Sequence, residues 1–136
     1  MLYQVYAGAY TDKENTEGIY HLELDTEKER LRVVRSYRES DSPSFLAVTP
    51  DYLYAVSERE DSNEGMVSAY RRNRENGELH FINSIVTRGT AMCHINVWPD
   101  GKHFSAANYM SGSVFTGRIR EDGSLDRVCA FCQHES

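Results

Sequence analysis

The stretch from Ala91 to Val114, AMCHINVWPDGKHFSAANYMSGSV, decides the fold. It contains two short apolar runs separated by Pro99-Asp100-Gly101, and a second turn at Ser111-Gly112. Proline sets φ near the value that a turn requires, aspartate bonds to nearby backbone, and glycine accepts positive φ. The stretch therefore predicts two antiparallel strands joined by a tight turn, with a third strand beginning directly after the second turn.

The same pattern occurs three times at a fixed spacing. Gly18, Gly65 and Gly112 each open an apolar run after a polar loop, and consecutive glycines lie 47 residues apart. Upstream of each glycine lies a matching run, which reads VYAGAY at 5–10, LYAVSE at 53–58 and FSAANY at 104–109. A period in the forties with about four short strands per unit is typical of a β-propeller blade. Because several features stay in phase, three unrelated glycines in an α+β domain are the weaker explanation.

The repeat also assigns the one ambiguous segment, which lies between Asp25 and Glu39. Its helix-forming residues and apolar residues three apart would suit a helix. The equivalent segments of the other two units, however, carry hairpin glycines at Gly77 and Gly123. The segment is therefore predicted to turn near Lys28-Glu29 and to continue as a strand.

Eleven strands are predicted in total, three in the first unit and four in each of the others. Their predicted bounds are Tyr3–Thr11, Gly18–Leu24, Leu31–Arg38, Ser44–Thr49, Tyr52–Ser57, Met66–Arg71, Leu79–Val86, Cys93–Trp98, His103–Asn108, Ser113–Ile119 and Leu125–Cys132.

These strands predict an all-β protein whose propeller blades follow one another without a linker. The first blade spans about 2–40 and lacks its inner strand, the second spans about 43–87, and the third about 91–134. A closed propeller takes such a missing strand from the far end of the chain, so that no strand edge stays unpaired. We therefore expect 1–136 to be the N-terminal part of a single propeller domain, an incomplete ring.

Composition agrees with a β-rich globular domain and argues against several classes of function. The 136 residues are 40% hydrophobic and 26% charged, and their nine tyrosines favour β structure. A net charge of −6 argues against a nucleic-acid interface, which needs a basic surface. No apolar run approaches the ~18 residues of a membrane span, and the first ten residues do not resemble a secretion signal. With an odd number of cysteines as well, we expect a cytoplasmic protein that binds neither nucleic acid nor membrane.

Several segments together resemble the lactonase family. They extend from Tyr3 to Glu135 and read VYAGAYT, GIYHLELD, SPSFLAVTP, LYAVSE, GMVSAYRRNRENGELHFIN, MCHINVWPDGK, AANYMSGSV and QHE. The most specific piece is Cys93-His94 followed by Pro99-Asp100-Gly101 and Asn108-Tyr109. Members of this family are seven-bladed propellers and include the bacterial 6-phosphogluconolactonases of the pentose phosphate pathway.

The resemblance implies a fold and a function. The chain is expected to form roughly the first three of seven four-stranded antiparallel blades, with the remaining blades supplied by a longer chain. The implied activity is the hydrolysis of a sugar lactone, most specifically 6-phosphogluconolactone to 6-phosphogluconate. The chain by itself is expected to be inactive.

Four residues are the candidates for the chemistry of the site. Lactone hydrolysis needs a base that activates water and donors that stabilise the oxyanion. Propeller ligands gather at one end of the central channel, and His94 is on a predicted inner strand where the second unit has Phe45. Glu58 and Tyr109 lie at equivalent ends of second strands, with Asn108 beside Tyr109. We predict His94 and Glu58 as catalytic residues, and Asn108 and Tyr109 as substrate-binding residues.

Each candidate has a structural alternative. His94 and Asn108 would serve as partners for backbone groups, Glu58 as a loop carboxylate, and Tyr109 as a packing residue. A metal site at Cys129 and Cys132 is disfavoured, because residues three apart on a strand point to opposite faces. No metal and no cofactor are therefore predicted.

Charge and topology leave three readings of the whole chain open. No arginine or lysine lies within the predicted inner strands at 44–49 and 93–98. The cationic side chains that would bind a phosphoryl group are therefore expected in other blades. A non-catalytic propeller that binds a ligand or another protein is the alternative to the lactonase, since a fold does not determine a function. The third possibility is a short chain that folds alone or completes a ring as an oligomer.

Overall fold

The computed structural model describes residues 1–58 and 64–135. These residues form eleven strands and no helix, so none of them belongs to a helix that could cross a membrane. The strands are β1 (Leu2–Gly8), β2 (Ile19–Asp25), β3 (Arg30–Tyr37), β4 (Pro43–Val48), β5 (Tyr52–Ser57), β6 (Glu64–Arg72), β7 (Leu79–Arg88), β8 (Met92–Val97), β9 (His103–Asn108), β10 (Ser113–Ile119) and β11 (Leu125–Gln133). The prediction of an all-β chain with eleven strands is confirmed.

The strands form three antiparallel sheets in which sequence neighbours pair. The first sheet has the order β1-β2-β3, the second β4-β5-β6-β7, and the third runs from β8 at one edge to β11 at the other. Such meanders need only short connections, because antiparallel strands can be joined by a tight hairpin. Grouping the strands as three, four and four is therefore confirmed as well.

The segment between Asp25 and Glu39 is a hairpin and a strand, as predicted. The carboxylate of Asp25 accepts hydrogen bonds from the backbone N–H groups of Glu27 and Lys28, at 3.0 and 3.1 Å. Glu29 closes the turn with φ of 51°. These bonds reverse the chain directly, and β3 then pairs with β2 along its whole length.

The second sheet is buried on both faces. Leu53 and Ala55 of β5 pack toward the first sheet, against Ile19. The intervening Tyr54 and Val56 belong to the larger core between the second and third sheets. A strand that is covered on both sides reads as a continuous apolar run rather than an alternating one, which explains the sequence LYAV.

Hydrogen bonds from the buried Tyr54 and the half-buried Asn83 join the second and third sheets. The Tyr54 hydroxyl donates to the carbonyl of Gly123 at 2.9 Å. Asn83 forms a reciprocal pair with the backbone of Leu125, donating to its carbonyl and accepting from its N–H, both at 2.9 Å. Burial raises the pKa of Tyr54, so this hydroxyl keeps its proton and remains a donor. The packing of the two sheets is therefore directional as well as apolar.

The first sheet leaves one apolar face open. Register places Tyr3 beside Leu24 and Leu31, and Leu22 beside Val33, on the face opposite the second sheet. Tyr3, Leu31 and Val33 are at least half exposed on that face. The described residues therefore do not cover this surface.

Candidate active site

A cleft of about 550 Å³ lies between β4 and β8. Both are edge strands of their sheets, and they contact each other. The cleft is lined by residues 45–50 of β4 and the turn after it, and by residues 94–99 and Gly101 of β8 and the turn after it. Two edge strands therefore bring their side chains and unpaired backbone to one concave surface.

His94 lies exposed in this cleft, beside Phe45. The centroids of the two rings are 4.5 Å apart, and the rings are tilted by 41°. Phe45 pairs with Val56, and His94 pairs with Ala107, each directly after a register shift. The predicted equivalence of His94 and Phe45 is confirmed, so the third sheet carries an imidazole where the second carries a phenyl ring.

Glu58 follows the last residue of β5 and is half-buried. Its N–H donates to the carbonyl of Ser42 at 3.0 Å, and its carboxylate accepts a hydrogen bond of 2.7 Å from the Tyr10 hydroxyl. The third sheet repeats the backbone contact, since the N–H of Tyr109 donates to the carbonyl of Ala91 at 2.8 Å.

Both accepting residues have unusual backbones. Ser42 has φ of 40° and Ala91 has φ of 56°, in the left-handed region that disfavours residues with a Cβ. Each stands immediately before an edge strand, β4 or β8. The same strained connection therefore starts β4 and β8, and it holds the residues that follow β5 and β9 at this end of the sheets.

Asn108 and Tyr109 differ sharply in exposure. Tyr109 is 75% exposed, whereas Asn108 is 3% exposed. The amide nitrogen of Asn108 donates to the hydroxyl of Ser113 at 3.0 Å and to the carbonyl of Arg88 at 3.3 Å. Its amide oxygen is buried without a hydrogen-bond partner among the described residues. Asn108 thus fastens the loop before β8 to the end of β9.

The four predicted site residues lie at one end of the sheets, where β4 and β8 begin and β5 and β9 end. Of these residues, the cleft lining includes His94 and none of the others. Their predicted roles stay predictions. The sequence did not lead us to predict the bond between Tyr10 and Glu58. The signal was present, because both residues stand at the same place in the repeat, and equivalent positions of adjacent sheets lie side by side.

The side chains that line the cleft include one imidazole and no carboxylate. They also include no arginine and no lysine. Among residues 1–58 and 64–135, no three His, Cys, Asp or Glu side chains converge as metal ligands would. Cys93, Cys129 and Cys132 are exposed and form no disulfide. The cleft therefore offers a ligand the His94 imidazole, backbone groups and the polar side chains of Thr49, Asn96 and Trp98, and the Glu58 carboxylate lies outside its lining.

Comparisons with known proteins agree on one family. Residues 4–136 match the family described as lactonase, 7-bladed beta-propeller. The chain is 34% identical to the 6-phosphogluconolactonase of Bacillus subtilis over 129 residues, covering 95% of this chain and 37% of that relative. It is 26% identical to the 6-phosphogluconolactonase of Formosa agariphila, covering 93% and 36% of the two chains.

A solved structure has the same arrangement of strands. The periplasmic gluconolactonase of Pseudomonas aeruginosa superimposes with a TM-score of 0.88 at 27% identity, covering 98% of this chain and 39% of that one. The chain therefore spans less than two-fifths of the length of each of these three relatives.

Proposed function

Because this chain belongs to the lactonase family of seven-bladed β-propellers, we propose that it is part of an enzyme that hydrolyses a sugar lactone. The proposed substrate is 6-phosphogluconolactone and the product 6-phosphogluconate, the reaction for which two of its relatives are named. The three sheets would be three of the seven blades, at about 2–40, 43–87 and 91–134, with the first lacking its inner strand. A cytoplasmic location is part of the proposal, although the Pseudomonas relative is periplasmic.

One observation supports this proposal most strongly: His94 lies exposed in the cleft between β4 and β8. A neutral imidazole accepts a proton from water at one ring nitrogen, which turns the water into a nucleophile. The water oxygen adds to the lactone carbonyl carbon, and the bond from that carbon to the ring oxygen then breaks. The imidazolium returns its proton to the ring oxygen, so the products are a carboxylic acid and a hydroxyl group.

The other predicted residues have supporting parts in this proposal. Glu58 would accept a hydrogen bond from a sugar hydroxyl or assist the water as a second base. Tyr109 would offer its exposed ring to the sugar. Asn108 was predicted to contact substrate, but its buried amide favours a role in shaping the loop before β8.

Phosphate recognition is proposed to lie outside this part of the protein. A phosphoryl group is bound by cations and by multiple N–H donors, and the residues that line the cleft include no arginine or lysine. We therefore propose that the chain alone does not hydrolyse the phosphorylated lactone.

The test is an assay of the protein encoded by the whole reading frame that contains this chain. It should accelerate the hydrolysis of 6-phosphogluconolactone above the spontaneous rate, whereas residues 1–136 alone should not. His94→Ala should lower kcat by about 100-fold, the usual contribution of a general base. His80→Ala, at an exposed position of β7, is the control that should keep full activity.

Two results would contradict the proposal in different ways. Binding of the lactone without any acceleration would favour a non-catalytic propeller scaffold. Unchanged kinetics in His94→Ala would instead leave the lactonase in place and remove His94 from its mechanism.

A further inference from the structure

Tyr10 and Glu58 form a hydrogen bond between the first and second sheets. The Tyr10 hydroxyl donates to Oε2 of Glu58 at 2.7 Å, the short distance typical of a charged acceptor. The two residues occupy equivalent places in the repeat, Tyr10 two residues beyond the end of β1 and Glu58 one residue beyond the end of β5. The hydroxyl of one unit thus reaches the carboxylate of the next.

The backbone on both sides of this bond is held by a second set of contacts. The N–H of Thr11 donates to the hydroxyl of Ser42 at 2.9 Å, and the N–H of Ser42 donates to the hydroxyl of Thr11 at 3.0 Å. Ser42 also accepts the N–H of Glu58 through its carbonyl, at 3.0 Å. One residue, Ser42, therefore fixes the segment that carries the tyrosine and the residue that carries the carboxylate.

The arrangement leaves the carboxylate partly engaged. Oε2 of Glu58 is bound by Tyr10, and Oε1 has no hydrogen-bond partner among the described residues. Rotation of the carboxylate would cost the bond to the tyrosine, so Oε1 keeps a defined direction. Preorganised groups of this kind lose little entropy when a ligand arrives.

We infer that Tyr10 is a positioning residue, which holds the Glu58 carboxylate in the orientation that accepts a hydrogen bond from a hydroxyl group of the sugar lactone or from its attacking water. This inference rests on the proposed function and adds a residue to it. Tyr10 touches Glu58 and acts through it.

A purely structural role for this bond is the competing explanation. Tyr10 is 66% exposed, and a hydrogen bond at such a site adds little to stability, because water replaces the lost partner. The reciprocal contacts of Thr11 and Ser42 already join the same two segments. The bond therefore adds little to folding, whereas within residues 1–58 and 64–135 it is the side-chain contact that holds the carboxylate of Glu58.

A double-mutant cycle in the whole protein tests the inference. Tyr10→Phe should lower kcat about tenfold, within the range of coupling energies for contacting residues, and change KM less than kcat. In the Glu58→Ala background, where the acceptor oxygens are gone, the same change should have almost no further effect. Tyr3→Phe, at the other end of β1, is the matched control that should keep the wild-type kcat. The thermal unfolding midpoint of Tyr10→Phe should stay at the wild-type value.

Calorimetry with the δ-lactam analogue of gluconolactone supplies a second readout without turnover. The lactam should bind more weakly to Tyr10→Phe than to the wild type, and equally to Glu58→Ala and the double variant. If the wild-type protein turns over the lactone and the effects of the two substitutions are additive, the role of Tyr10 is overturned and the lactonase activity is supported. If the wild type does not turn over the lactone but lactam binding still depends on Tyr10, the proposed hydrolase activity is overturned and the positioning role of Tyr10 is supported. Absence of both turnover and lactam binding would overturn both proposals.

Discussion

His21 is a fully buried histidine between the first two sheets. One ring nitrogen, Nε2, is hydrogen-bonded to the side-chain oxygen of Gln4, and the ring stacks on Tyr6 with centroids 5.0 Å apart. The other nitrogen, Nδ1, has no partner among the described residues. The buried ring is therefore best accommodated without a charge.

The surroundings of His21 lower its pKa below the ordinary value of 6.5. Burial is the largest cause, and the positive charges of Arg35 and Arg72 act in the same direction. Glu23 and Glu78 oppose them with smaller effects than burial. Protonation of the native state is thus less favourable than protonation of the unfolded chain.

This shift predicts a pH dependence of stability. The contribution of neutral His21 is fully present above pH 6.5, and it is lost as the pH falls from 6.5 toward the native pKa. Urea unfolding at pH 7 and at pH 5.5 should show a lower free energy of unfolding at the lower pH. His21→Phe should flatten this dependence, whereas His80→Phe at an exposed position should retain it. An unchanged slope in His21→Phe would assign the effect to other groups.

At the scale of elements, the turn glycines are not equivalent. Gly123 joins β10 to β11 with φ of 84°, and a Cβ there would clash with the ring of Tyr52. Gly101 joins β8 to β9 with φ of 68°, but nothing lies within 4 Å of the place where its Cβ would be. The first glycine is needed for close packing between sheets, and the second for backbone conformation alone.

We expect Gly123→Ala to destabilise the protein more than Gly101→Ala. The second change adds left-handed strain of about 1 kcal/mol. The first adds the same strain and a clash that displaces Tyr52, and overpacking costs about 1–3 kcal/mol more. Urea unfolding of the two variants compares them directly. Equal losses would show that the loop before β11 moves freely away from the second sheet.

The elements themselves were largely predictable. Strands β5, β9 and β10 have the predicted bounds, and β3 forms where helix-forming residues competed with the repeat. The reason is that a meander is built from contacts between sequence neighbours, and its turn residues mark each reversal. The strand predicted to run from Tyr3 to Thr11 is wrong at its end, since β1 ends at Gly8. Gly8 approaches the backbone of Pro43 too closely for any Cβ, and beyond it the N–H of Thr11 bonds to Ser42, beside the start of β4, instead of extending the strand.

At the scale of the whole molecule, the open face of the first sheet predicts self-association. Leu31 and Val33 are each 57% exposed beside Tyr3, Leu22 and Leu24. Contiguous apolar surfaces of this kind mark sites where another surface packs. Purified residues 1–136 should therefore sediment as more than a monomer at concentrations near 100 μM, an order of magnitude that weak interfaces require.

Charge placed on this face should abolish the association. Val33→Lys introduces an ammonium group into the apolar surface, and a second chain could cover it only at a large desolvation cost. Phe81→Lys, on β7 at the edge of the second sheet, changes the net charge equally and serves as the control. Sedimentation velocity separates the outcomes. A monomer in the unmodified chain, or association that survives Val33→Lys, would place the contact elsewhere.

The amino-acid sequence alone determined the strands, their grouping and their antiparallel order, because periodic apolar residues and turn residues act on near neighbours. It also predicted which end of the sheets would carry His94, Glu58, Asn108 and Tyr109. Only the tertiary structure decided that Asn108 is buried under a loop, that His94 faces Phe45, and that Tyr10 binds Glu58. These contacts join residues that are distant in sequence, and they depend on how the packed sheets are twisted and spaced, which no local pattern encodes.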